Sequence, residues 1–482
     1  MKDIDRRTFL RGAASISLVG IMGGVVAACS GSSDNSPSTT TSAATTTVGH
    51  IRSATAVTEV LGAGLTLAAV ALEYDAEIDG SSLTAGNFTV DGRTVTRVYT
   101  NSSAAIATAD QPDGQPGKFV IVELDTADDA GLLWNNQPDD GAGGADGVDG
   151  AETASADDTD SDSGPGAGGP QAGSSSSPVV ADAVATVTAT GTVTTTSGET
   201  YEDAGAVTTS AAVDPLVDLF TQATFTDPDT GDSLPYNIFA PAGVDLSNPD
   251  GSTKYPLVLF MHDASVVGAD VKGPLVQGQG AVCWASPDDQ ERHPCFVVAP
   301  QYPTVVVSDD YEPTSLFDTT VNLLNDLVDR YPVDPDHLHA TGQSMGAMMT
   351  LGMNIRHPEL LASSYVVAGQ WPAEEAAPLA QKKLWVTVSQ GDEKAFPMEN
   401  DIMDVIREAG TEITEATWDA TWDAERLNSA AETVADAGTP VNYTSFLAGT
   451  VPGASEGSGA EHMGTWKVAY TIPAIRDRVM ED

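Results

Sequence analysis

The chain has 482 residues, and its 69 acidic and 21 basic side chains give a net charge of −48. Such a surface repels phosphate, which argues against nucleic acid as a partner and fits a soluble, exposed setting. Setting aside a leader and tether leaves about 430 residues, enough for two domains with a full core.

Asp5-Arg6-Arg7-Thr8-Phe9-Leu10 resembles a twin-arginine export signal, and an apolar run over residues 16–28 follows it. The run is shorter than the about twenty residues that a permanent span needs. It ends in Val26-Ala27-Ala28-Cys29, which resembles a lipobox with Cys29 as the acylated residue. Residues 1–29 are therefore expected to export the protein already folded. Residues 30–54, rich in Ser, Thr and Ala, read as a flexible tether. The expected location is extracytoplasmic, with lipid on Cys29 as the contact with the membrane.

Residues 55–205 read as a small all-β sandwich. Apolar segments at 57–79, 87–90, 94–100 and 118–124 are separated by Gly, Asp and Asn turns, and a further pair follows at 183–193 and 198–205. Asp91-Gly92 is a hairpin-turn signal. No cysteine staples this part. An insertion at about 126–178 interrupts it. Between Asp125 and Asp162 there are twelve acidic residues and no basic one. Such a segment buries too little apolar surface to offset chain entropy, so disorder is expected. It lacks the Asp/Gly/Glu spacing of a calcium loop.

Residues 216–482 carry the chemistry. The first long core strand, at 255–261, ends in His262-Asp263-Ala264-Ser265. Further on, Gly342-Gln343-Ser344-Met345-Gly346 spells G-x-S-x-G, with a short strand at 336–341 before it and an apolar helix at 347–355 after it. Strand, turn and helix are the setting that a serine nucleophile elbow needs, and the glycines leave room for so tight a turn. Ser344 is thus the expected nucleophile, in a doubly wound, mostly parallel α/β sheet.

In this fold the acid and then the histidine follow the serine. Only His357 and His462 lie beyond Ser344. His357 sits at the far end of the elbow helix, out of reach at about 1.5 Å of rise per residue. His462, in a Gly-rich loop before a terminal helical run from Thr465, is the expected base. The strand at 383–389 runs into Gln390-Gly391-Asp392-Glu393, and Asp392 is the expected acid, holding the His462 tautomer. Asp401 and Asp404, on the next helix, are expected in solvent. The oxyanion donors are expected to be the Met345 N–H and one from Asp263 or Ala264. Asp263 stands where many hydrolases have Gly, and its charge would oppose an oxyanion.

With these residues placed, the chain resembles α/β-hydrolase esterases that carry an N-terminal immunoglobulin-like domain, relatives of polyhydroxybutyrate-depolymerase-like and prolyl-oligopeptidase-like esterases. The matching stretches are YPLVLFMHDA from Tyr255, CFVVAPQY from Cys295, TGQSMGAM from Thr341, VAGQW from Val367, GDEKA from Gly391 and EHMGTWKVAY from Glu461. The run from Leu72, LEYDAEIDGSSLTAGNFTVDGRTVTRVYTN, resembles the immunoglobulin-like domain of the same family. The resemblance implies an α/β hydrolase preceded by an immunoglobulin-like sandwich. It also implies carboxylic-ester hydrolysis, with Ser344, Asp392 and His462 at the triad positions. A peptidase of prolyl-oligopeptidase type and a non-catalytic surface binding protein are the alternatives.

An exported protein permits a disulfide between Cys283 and Cys295, two buried thiols being the other reading. Trp371 and Trp466 are candidate pocket walls, with core packing as the alternative. No cofactor motif and no metal-ligand spacing is present, so a small ester is the expected partner and none besides the membrane is implied. Short acyl chains are expected because no separate lid lies between Ser344 and Asp392. Were there a lid, residues 409–439 would hold it, with Trp418 and Trp422 on one helix.

Overall fold

A computed structural model describes residues 49–108, 110–135, 178–202, 205–249 and 251–481. The export signal, Cys29 and most of the acidic insertion lie outside the described residues.

The N-terminal module is built on two sheets. One carries the long pair Ile51–Leu61 and Gly64–Ile78 with Gly117–Leu124, Val95–Asn101 and Ala211–Val213; the other joins Phe88–Val90, Thr186–Ala189 and Ala206–Thr208. Their inner faces share one apolar core that includes Val70, Leu72, Phe88, Val120 and Val187. Asp91-Gly92 does form a turn, closed by the Arg93 N–H on the Val90 carbonyl at 3.1 Å. The strands it joins nevertheless lie in different sheets, so the expected hairpin is a crossover between layers.

The start of the expected insertion is folded. Residues 126–135 are ordered, and Trp134–Asn135 pairs antiparallel with Val179–Val180. The apolar run Leu132-Leu133-Trp134 explains this, because Trp134 is buried in a core cluster shared with Val60, Val276 and Val282. That cluster joins the module to the larger domain. The fit is close at Gly62, where a Cβ would stand 2.3 Å from the Lys467 carbonyl oxygen.

The larger domain is wound around nine strands. In chain order they are β1 (Thr221–Thr226), β2 (Ser233–Phe239), β3 (Tyr255–Met261), β4 (Phe296–Pro300), β5 (Val333–Gln343), β6 (Ser363–Val367), β7 (Leu384–Ser389), β8 (Ile413–Trp418) and β9 (Val441–Phe446). Their spatial order is β1-β2-β4-β3-β5-β6-β7-β9-β8. β2 pairs antiparallel with both β1 and β4, and every other pairing in the sheet is parallel.

Helices cover both faces, so the central strands are largely buried on both sides and successive side chains enter opposite cores. In β3, Leu257, Leu259 and Met261 face one core, and Val258 and Phe260 the other. The helices Ser315–Arg330, Met345–Arg356 and Ala395–Glu408 pack on the first face. Ala424–Ala435, Ser458–Ala469 and Pro473–Met480 pack on the second. Parallel strands all end on one side, and the loops leaving β3, β5, β6 and β7 meet there.

The segment at 409–439 contains no lid. Trp418 ends strand β8, buried against Trp385 and Phe446, while Trp422 lies in the turn that follows. The alternation of Ile413, Glu415 and Thr417 with their neighbours has the period of a strand, which overrides a helical reading of two tryptophans four apart.

Candidate active site

β5 delivers Ser344 at a sharp turn into the helix Met345–Arg356. The serine has φ 51° and ψ −116°, a strained backbone for a residue with a Cβ. Close packing holds it there. A Cβ on Gly342 would lie 2.3 Å from the Gly346 carbonyl carbon, and one on Gly346 would lie 1.9 Å from the Met261 carbonyl oxygen. The Ser344 N–H donates to the Val367 carbonyl at 3.1 Å, which ties the turn to the end of β6.

Three side chains from three separate parts of the chain meet at this turn. The Ser344 hydroxyl lies 2.9 Å from His462 Nε2, and His462 Nδ1 lies 2.5 Å from Asp392 Oδ2. With Nδ1–H donating to the carboxylate, Nε2 is left as the acceptor for the serine proton. Asp392 is nearly fully buried, and burial alone would raise its pKa. The bond and charge of His462, with the N–H groups of Ala395 and Lys394 at 2.8 and 3.0 Å from Oδ1, outweigh that and hold it below the ordinary carboxylate value. Asp392 thereby accepts at the N-terminus of the helix Ala395–Glu408, where the helix dipole favours an anion.

His462 is on a helix, where a loop was expected. Ser458–Ala469 starts directly after Gly457, whose φ of 111° marks the turn that admits the chain. The glycines that read as a loop form the entry to that helix and its first turn. The preceding residue, Glu461, is buried, and its carboxylate accepts from Ser389 Oγ at 2.5 Å and the Gly449 N–H at 2.6 Å. These bonds tie the His462 helix to the end of β7, the strand that delivers Asp392. Glu461 was passed over in the sequence, although an acidic residue directly beside the expected base was a legible signal.

The N–H groups of Met345 and Ala264 have no acceptor among the described residues, and both residues line the cavity in front of Ser344. Asp263 does not line it. Its carboxylate is turned toward the Ser265 N–H and hydroxyl and toward Gln343 Nε2 at 2.8 Å, which removes the expected conflict with an oxyanion.

His262 sets this loop. Its Nε2 accepts from the Tyr302 N–H at 3.0 Å, so Nδ1–H donates to the Asp263 carbonyl at 2.7 Å. Across a trans peptide the Ala264 N–H then points the other way. Burial lowers the His262 pKa to about 4, so the ring stays neutral and keeps this pattern.

The cavity has a volume of about 240 Å³. Val305, Val307, Met348 and Ala368 form its apolar wall. Asp309, Gln370 and Lys394 form a polar rim, with Gln370 Nε2 donating to Asp309 at 2.9 Å and Lys394 paired with the same carboxylate.

Neither candidate tryptophan lines this cavity. Trp371 is 0 % exposed, packs edge-on to Tyr311 and donates its indole N–H to Glu375 at 3.0 Å. Trp466 stands edge-on to the His462 ring at 5.1 Å and is buried behind it. One helical turn past His462, Trp466 lies on the same helix face and packs against the ring, which stands between it and the cavity.

The expected disulfide is also absent. Cys283 and Cys295 are free and buried, with Cys283 Sγ turned to the Gly280 carbonyl and Cys295 Sγ beside Gln290 Nε2 at 3.3 Å. Burial pushes both thiols up to about 12. His357 stacks on Phe317, away from the site, and Asp401 and Asp404 are exposed.

Residues 53–202 match the family model described as the esterase Ig-like N-terminal domain. Among solved structures, a thermostable esterase is similar over 89% of this chain and 99% of its own, at 23% identity and TM-score 0.68. A ferulic acid esterase matches 40% of this chain and 86% of its own, at 14% identity and TM-score 0.31. An acetyl xylan esterase from Aspergillus awamori matches 40% and 81%, at 17% identity and TM-score 0.29. No curated protein matches the sequence. The chain therefore has the fold of an α/β hydrolase preceded by an immunoglobulin-like domain.

Proposed function

We propose that the chain is a serine carboxylic-ester hydrolase working through an acyl-enzyme on Ser344. One observation carries the reading: Ser344, His462 and Asp392 form a hydrogen-bonded line that opens on a cavity with two free N–H groups. His462 Nε2 takes the hydroxyl proton as Ser344 Oγ attacks the ester carbonyl, and Asp392 stabilises the imidazolium that forms. The N–H groups of Met345 and Ala264 receive the developing oxyanion. His462 then protonates the leaving alcohol, and water repeats the sequence to release the acid.

The cavity of about 240 Å³ is below the about 300–1,000 Å³ usual for drug-sized ligands, which supports small or short-chain esters. The test is a panel of p-nitrophenyl esters graded from acetyl to palmitoyl beside peptide anilides, with and without a serine-directed phosphonate. The expected result is phosphonate-sensitive hydrolysis with the highest kcat/KM at short acyl chains. A preference for the anilides would assign a peptidase, and no turnover of either would leave a binding protein.

The membrane contact belongs to the same proposal and is supported by the position of Cys29 directly after an apolar run. Cys29→Ser is expected to move the protein from the membrane to the soluble fraction with its ester hydrolysis retained. Membrane retention of that variant would count against the lipid anchor.

A further inference from the structure

We propose that Glu399 is a positioning residue for the nucleophile turn, acting as an uncharged carboxylic acid through the Gly369 N–H. This rests on the ester-hydrolase reading of the site.

Glu399 lies on the helix Ala395–Glu408, whose first turn caps Asp392, and it is 1% exposed. Its Oε1 accepts from the Gly369 N–H at 2.8 Å, and its Oε2 has no partner among the described residues. A fully buried polar oxygen without a partner is rare and costly, so its retention calls for an explanation.

The explanation is what Gly369 is attached to. Gly369 follows Ala368, a pocket-wall residue held at φ 50°, and Ala368 donates its N–H to the Thr387 carbonyl at 2.9 Å. The residue before, Val367, accepts the Ser344 N–H. One bond from Glu399 therefore fixes a strained wall segment that also holds the nucleophile's backbone. Gly369 could not be fixed by packing a side chain of its own, since a Cβ there would lie 2.8 Å from Val366 Cγ1.

The charge state follows from the surroundings. The ionisable groups that act on Glu399 are Asp392, in the loop after β7, and Tyr443, on β9. Neither is a cation, and Asp392 is an anion in the working enzyme. A buried carboxylate beside another, with a single donor to satisfy it, is far less stable than the acid. Burial first, and the Asp392 charge with it, raise the Glu399 pKa well above 4.5, while the Gly369 bond opposes this. The stability gained from the buried acid is full below the ordinary value of 4.5 and is lost as pH rises through the raised folded-state value.

The test compares the full chain with Glu399→Gln, which keeps the acceptor and the neutral state, and Glu399→Leu, which removes the acceptor. Melting temperature needs no substrate. The margin of Glu399→Gln over wild type should widen by about 3 °C or more as pH rises from about 5 to about 9. For p-nitrophenyl acetate, Glu399→Leu should lose about tenfold in kcat with KM changed less than about threefold, and Glu399→Gln should recover most of that loss. Phosphonylation of Ser344 should rank the three proteins in the same order. A pH-independent melting margin would overturn the proposal, and so would equal kcat and labelling rates for the two variants. A wild type that takes the phosphonate but hydrolyses no ester would sink the ester-hydrolase reading alone, with melting and labelling still deciding the role of Glu399.

Discussion

Replacing Ser344 with alanine is expected to lower kcat on a short-chain p-nitrophenyl ester by about 10⁴- to 10⁶-fold. Among the described residues, the hydroxyl is the one group placed both 2.9 Å from His462 Nε2 and at the mouth of the cavity with the Met345 and Ala264 N–H groups. Without it no acyl-enzyme forms, and only the oxyanion donors and binding remain, worth about 10³–10⁴ over water. The fold should survive, because the strained turn is held by Gly342, Gly346 and the Ser344 N–H, none of which the substitution touches. Phosphonate labelling followed by mass spectrometry should find the adduct on the Ser344 peptide of the wild type and none on the variant. Activity within tenfold of wild type, or an adduct on another residue, would remove Ser344 as nucleophile.

The second large effect is expected from Asp392→Asn, about 10⁴-fold in kcat. Asn presents an NH₂ or a neutral oxygen to His462 Nδ1, so the ring loses both its fixed tautomer and the charge that stabilises the imidazolium. The same carboxylate carries a pH signature. Its pKa lies below 3.8 because the His462 and helix N–H bonds outweigh its burial. The sign is that of a depressed acid: its contribution to stability is present above 3.8 and is lost as pH falls through the lower folded-state value. Denaturant midpoints should therefore fall in that acid range for wild type, and less for Asp392→Asn. A loss of kcat under tenfold would show that another group orients His462.

The sequence by itself determined which residues the candidate site brings together and the order of its parts. Gly342, Ser344 and Gly346 encode the elbow within five residues, because the turn's steric demands are met or broken locally. Apolar runs of strand length placed β3 and β7, the elbow itself placed the end of β5, and Asp392 was legible as the expected acid just past β7. His462 followed by elimination, since only one histidine beyond the serine is not stranded at a helix end.

Only the tertiary structure decided which faces these residues present. The helix carrying His462 begins among glycines, and its position depends on Glu461 reaching Ser389, 72 residues away. The sequence left Trp371 and Trp466 open between pocket wall and core packing, because whether an aromatic ring faces a cleft or a core depends on the layer packed over it, and that layer comes from distant chain. Cys283 and Cys295 are near in sequence, but their side chains turn to different partners. Glu399 looks like any acidic residue on an amphipathic helix. It is buried because the turn after β6 needs an acceptor that no residue nearby in sequence supplies.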